Sequence, residues 1–106
     1  MIEAKIFNHV KCVFSEKFDC DIDESDYIKL CEKANDPLKH CRSYNHSDNR
    51  DFRLVRFKGK IVTVVYNENQ GLVQTVVYPR PKDKQRYRES EKMWKSLNKY
   101  GLYRIY

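Results

Sequence analysis

Asp51–Pro81 reads DFRLVRFKGKIVTVVYNENQGLVQTVVYPRP, and it alone in this chain carries sustained β character. Three runs rich in Val, Ile, Thr and Tyr are separated by two turn signals, Lys58-Gly59-Lys60 and Asn67-Glu68-Asn69-Gln70-Gly71. β-Branched and aromatic side chains suit a pleated, half-buried surface, and glycine supplies the positive φ that tight hairpins need. The pattern predicts an antiparallel meander with strands at about 51–57, 60–66 and 71–78. Pro79 and Pro81 close it, because proline has no N–H to give to a ladder.

Side chains alternate across a strand, so parity assigns faces. In the first strand Phe52, Leu54 and Arg56 share one face, and Arg53, Val55 and Phe57 the other. In the third, Leu72, Gln74, Val76 and Tyr78 oppose Val73, Thr75 and Val77. The middle strand has no polar face, which is the pattern of a strand covered on both sides, or of a central one carrying a helix on one side. Arg53, Arg56, Gln74 and Thr75 are therefore polar groups on an otherwise apolar sheet, and they mark it as a place for a site.

Working outward, Ile2, Ile6, Val10, Val13, Phe14 and Phe18 fall at helical spacing and predict an amphipathic helix over about 2–18, with a short strand at 2–7 as the alternative. Asp23, with Asp26 three residues on, reads as the N-cap of a second helix over about 24–34, ended by Asn35-Asp36-Pro37. Residues 38–50 are polar and turn-rich and read as a loop carrying His40 and His46. Past the strands, Tyr87, Ser90, Met93, Trp94 and Leu97 give one apolar side to a basic helix over about 84–99, and 102–106 alternate as a last short strand would. The expected fold is α+β: N-terminal helices packed on an antiparallel meander, with a basic C-terminal helix, in a single domain spanning residues 1–106.

The net charge of +6 is concentrated. Residues 1–78 hold 12 basic and 12 acidic side chains, whereas 79–106 hold 9 basic and 3 acidic. Such asymmetry points to a polyanionic partner, RNA or DNA. Candidate contacts are Arg53, Lys58, Lys60, Arg80, Lys82, Lys84, Arg86 and Arg88. No run approaches the ~20 apolar residues of a membrane span, so no membrane partner is expected. The N-terminus has no apolar targeting core, which predicts a cytoplasmic location. The cysteines, at 12, 20, 31 and 41, form no CxxC pair, so they read as reduced thiols rather than metal ligands. No phosphate loop, nucleophile elbow or two-metal acidic pattern occurs, and no cofactor is expected.

A first helix with a histidine, a second helix, and then strands ending Thr75-Val76-Val77-Tyr78-Pro79 resembles the small bacterial RNases of the barnase–EndoU–colicin–RelE group, RelE/ParE-like toxins among them. Phe57–Tyr66 (FKGKIVTVVY) and Gly71–Pro79 (GLVQTVVYP) carry the resemblance. In that group a strand brings a hydroxyl residue to the site, and an upstream histidine or basic pair supplies acid–base and phosphate contacts. The resemblance therefore implies a metal-independent endoribonuclease of toxin type. The chain departs from the pattern in having no arginine at helical spacing after His9.

Metal-free RNA cleavage needs a base for the 2′-hydroxyl, an acid for the leaving oxygen, and cations for the phosphate. The candidates are His9 and His46 as acid or base, Arg56 on phosphate, and Thr75 and Tyr78 as hydroxyl contacts. The expectation is one phosphate-sized site on the meander, formed by Arg53, Arg56, Thr75 and a histidine. In it Arg56 lies near Thr63, and Thr63 near Thr75, unless a bulge inverts the alternation. The alternative is a non-enzymatic phage- or plasmid-type protein that coats nucleic acid or inhibits a host enzyme. Eight Tyr, five Phe and one Trp suit base stacking or a protein interface. The stretch 16–36, with 8 acidic and 3 basic residues, is suited to imitating a nucleic-acid surface. A protein inhibitor of a toxin is a further possible partner.

Overall fold

The structure is a computed structural model that describes residues 4–43 and 50–99. Its elements run α1 (Ala4–Phe18), α2 (Glu24–Asn35), β1 (His40–Arg42), β2 (Asp51–Phe57), β3 (Lys60–Asn67), β4 (Leu72–Val77) and α3 (Pro81–Lys99). The four strands form one antiparallel sheet in the order β1-β2-β3-β4, giving an α+β fold. The terminal 102–106 strand expectation falls outside the described residues.

The central hairpin follows from its turn. Phe57 pairs with Lys60, and the two residues between them, Lys58 and Gly59, have φ of 49° and 78°. Two positive φ values in a two-residue loop match the strand twist, and glycine takes the second without penalty. The closing pair also sets the register: Arg56 faces Ile61, Leu54 faces Thr63, and Thr63 faces Val77. The expected Arg56–Thr63 and Thr63–Thr75 neighbours are thus corrected.

β4 departs from strict alternation. Val65 pairs with Thr75 but Tyr66 pairs with Val73, so Gln74 is an extra residue. A bulge of this kind lets Val73 and Val76 both turn inward, each fully buried, where parity had placed them on opposite faces. The ladder is interrupted beside Val73, and α2 supplies partners there. The Val73 N–H donates to Cys31 Sγ at 3.4 Å, and its carbonyl accepts from the Tyr27 hydroxyl at 2.7 Å.

β1 corrects the reading of 38–50 as loop. Three residues are too few to show a period of two, yet His40 pairs with Val55, Cys41 with Leu54 and Arg42 with Arg53. α3 begins at Pro81, three residues before the expected start. Proline's fixed φ suits a first helical turn, and the missing N–H costs nothing there. Asp83, 2% exposed, accepts from the Arg80 N–H at 3.2 Å and from Ser43 Oγ at 2.9 Å, so it ties the start of α3 to the end of β1.

Helices cover both faces of the sheet, as the two-sided apolar character of β3 requires. On one face Val10 and Phe14 of α1 and Tyr27, Leu30 and Ala34 of α2 pack against Val55, Phe57, Val62, Val64, Val73 and Val76. On the other, Tyr87 and Trp94 of α3 meet Leu54 and Ile61. α2 is started by a capping box: the Asp26 N–H donates to Asp23 Oδ1 at 2.8 Å, and the Asp23 N–H to Asp26 Oδ2 at 3.1 Å. No helix of the described residues is long and apolar enough to cross a membrane.

Candidate nucleic-acid interface

The two sheet arginines go to opposite faces, as parity requires. Arg53 points toward α2 and is 5% exposed. Its guanidinium donates to the Ala34 carbonyl at 2.7 Å and to Asp51 Oδ2 at 2.8 and 3.0 Å, and it lies 4.4 Å from the centre of the Tyr66 ring. Those contacts use it up inside the fold, so Arg53 is corrected from phosphate contact to a tie between β2 and the end of α2. Arg56 points toward α3, where it meets Glu91 in a two-pronged ion pair of 2.8 and 2.9 Å. The pair is mutually reinforcing: the guanidinium is the main cause that holds the Glu91 carboxyl below its ordinary value, and Glu91 raises Arg56. The single site with Arg53, Arg56 and Thr75 around one phosphate is therefore not formed.

A different grouping is. Beside the β2–β3 turn, between the end of β4 and the first turns of α3, lies an open groove of about 370 Å³. Arg56, Lys60, Lys84 and Arg88 line it, with Tyr78 and Phe18, and no carboxylate is among its lining residues. Lys60, Lys84 and Arg88 are exposed, and none is in an ion pair among the described residues. Tyr78 is 60% exposed. Its hydroxyl donates to the Lys17 carbonyl at the end of α1, and its ring packs at 4.9 Å on Phe18. The hydroxyl that was expected to contact substrate is thereby committed, and what Tyr78 presents to the groove is a braced aromatic surface.

No family model, no curated protein and no solved structure matches this chain.

The other expected residues divide. His9, on α1, places Nε2 3.0 Å from Thr75 Oγ1, because α1 packs chiefly along β4. That pair stands apart from the groove: His9 is eight residues before Lys17, roughly 12 Å along the helix at its usual rise. His46 lies outside the described residues. Lys58 turns toward α2, with Nζ 3.0 Å from Asp26 Oδ2, and is not among the residues that line the Tyr78 groove. Arg80 is held by Asp83, and Lys82 and Arg86 line a separate cleft with Gln85 and Glu89. His40 Nδ1–H donates to the Asp36 carbonyl at 2.8 Å, and burial pushes its pKa down.

The described residues contain no cluster of three or more His, Cys, Asp or Glu able to hold a metal. Cys31 is buried, Cys20 and Cys41 are half-buried, and Cys12 is exposed.

Sequence reasoning overlooked Lys33, Lys39, Glu91 and Lys95. A signal for two of them was present. Lys84, Arg88, Glu91 and Lys95 follow i, i+4, i+7, i+11 spacing and form one stripe of α3, beside the apolar one that contains Trp94.

Proposed function

We propose that this protein binds single-stranded nucleic acid, RNA foremost, along the Tyr78 groove. The observation that carries this reading is the meeting of four cations and an exposed aromatic ring in one groove without a carboxylate. Phosphates need cations that are not already neutralised, and unstacked bases need a flat apolar partner; single-strand binders combine the two. Lys60, Lys84 and Arg88 meet the first need and Tyr78 the second. Duplex recognition fits less well, because a braced ring offers nothing to a stacked base pair.

The test is a titration of a short single-stranded RNA at several salt concentrations. Three free cations predict a slope of log K against log salt of about −2, at about −0.7 per neutralised phosphate. In a Lys60→Gln/Lys84→Gln/Arg88→Gln variant the affinity should drop and the slope should approach zero. An unchanged slope in that variant sinks the reading.

A second reading, metal-independent RNA cleavage of the toxin type, is favoured by the His9–Thr75 pair alone. A histidine titrates near neutrality and a neighbouring hydroxyl can orient a phosphate. The same RNA, incubated with EDTA present, decides between them. Cleavage that is lost in His9→Ala, with the fold retained, supports the enzyme; binding without cleavage leaves the groove reading standing by itself.

A further inference from the structure

A second cavity, of about 470 Å³, opens between the last turn of α2, the chain leading into β1, and α3. Arg56 lines both cavities, so the two meet at one side chain. Its aromatic part is Trp94, half-buried and held edge-on against Tyr87 with ring centres 5.5 Å apart. Its cations besides Arg56 are Lys33, Lys39 and Lys95. Two carboxylates are also present, but both are engaged: Glu91 takes both prongs of Arg56, and Asp36 Oδ1 accepts from the Leu38 N–H at 2.9 Å.

The three lysines have no ion-pair partner among the described residues. Lys33 is the most constrained. Its ammonium donates to the Arg56 carbonyl at 2.9 Å and lies 5.9 Å from the centre of the Phe57 ring. Burial, then the charges of Lys39 and Arg56, push its pKa down. Four cations against two carboxylates leave the lining net positive, which favours an anion, and the Trp94 wall suits a planar ring.

We propose that this cavity takes one nucleotide unit, its base on Trp94 and its phosphate among Lys33, Lys39 and Lys95. The proposal rests on the nucleic-acid reading of the neighbouring groove and extends it: a strand lying past Arg56 has an aromatic station at each side, Tyr78 and Trp94. The same chemistry is presented by a free mononucleotide.

Trp94 is the single tryptophan of the chain, so its emission reports on this cavity alone. The folded protein is titrated with adenosine monophosphate, with inorganic phosphate, and with the short RNA. Adenosine monophosphate and RNA should both quench the emission, while inorganic phosphate should compete without quenching. Lys39→Gln/Lys95→Gln, at two exposed positions, should weaken adenosine monophosphate about tenfold, the loss expected for a charge-assisted phosphate contact. Lys84→Gln/Arg88→Gln should weaken the RNA and leave the mononucleotide unchanged. Tighter binding of RNA assigns the cavity to a strand, and tighter binding of the mononucleotide assigns it to the free ligand. RNA that binds through Lys84 and Arg88 without altering the Trp94 emission overturns this inference and spares the groove. A mononucleotide that quenches while RNA fails to bind does the reverse. Silence of both ligands overturns the two together.

Discussion

Thr63 carries a hydroxyl where the sheet has a use for a methyl group. It is 3% exposed, and its Oγ1 has no hydrogen-bond partner among the described residues. A buried hydroxyl without a partner costs about 1–3 kcal/mol. Thr63→Val keeps the shape and the β-branch, so it should stabilise the fold by about 1 kcal/mol and raise the urea midpoint without changing the m-value. A lowered midpoint would reveal a partner for that oxygen. The Arg56–Glu91 pair leads to a prediction of opposite kind. Glu91 is held below the ordinary glutamate value of 4.5, chiefly by Arg56. Its stabilising contribution is therefore complete above that value and is lost as the pH falls through the lower, folded-state value. The Arg56 side chain is 40% exposed, so solvent screening limits the effect to about 1 kcal/mol or less. In Glu91→Gln the acid limb of the stability curve should be shallower than in the parent, as read by thermal unfolding between pH 5 and pH 2 (roughly the span over which carboxylates titrate). Parity in β2 placed Arg53 and Arg56 on different faces from sequence alone. Which of them opens to solvent was not legible, because that depends on helices arriving from elsewhere: α2 closes over Arg53, and α3 leaves room beside Arg56.

α3 shows why counting charges differs from locating them. Its basic residues do not act as one patch. Lys84 and Arg88 line the Tyr78 groove, whereas Lys82 and Arg86 line another cleft, since residues two apart on a helix sit about 200° around it. Lys84→Glu and Lys82→Glu alter the net charge equally. If location governs, the first should weaken RNA about tenfold or more and the second little, measured at one low salt concentration. Equal losses would mean that only total charge matters. The elements were legible where several residues repeated the signal: the hairpin around Lys58-Gly59, the apolar middle strand and the capping box that starts α2 at Asp23. They were illegible where one residue decided. The bulge at Gln74 has no local marker, and it moved Val76 to the face of Val73. β1 is short enough for its pairing with β2 to decide it, and that information lies in β2.

At the scale of the molecule, the layers carry opposite charge. The acidic stretch of the sequence lies in the end of α1, its link to α2, and α2 itself, on one face of the sheet; the basic helix α3 lies on the other. The sequence showed this separation along the chain, and the sheet between the layers turns it into a separation in space. The sheet itself has two borders. One is β1, only three residues long and ending in the exposed Arg42. The other is β4, kinked at Gln74 and flanked by α1. An unpaired strand is a template on which a further chain can add, and growth of that kind leads to cross-β fibrils. Among the described residues neither border offers a long, flat row of free N–H and C=O groups, which limits the addition of a further strand at either edge.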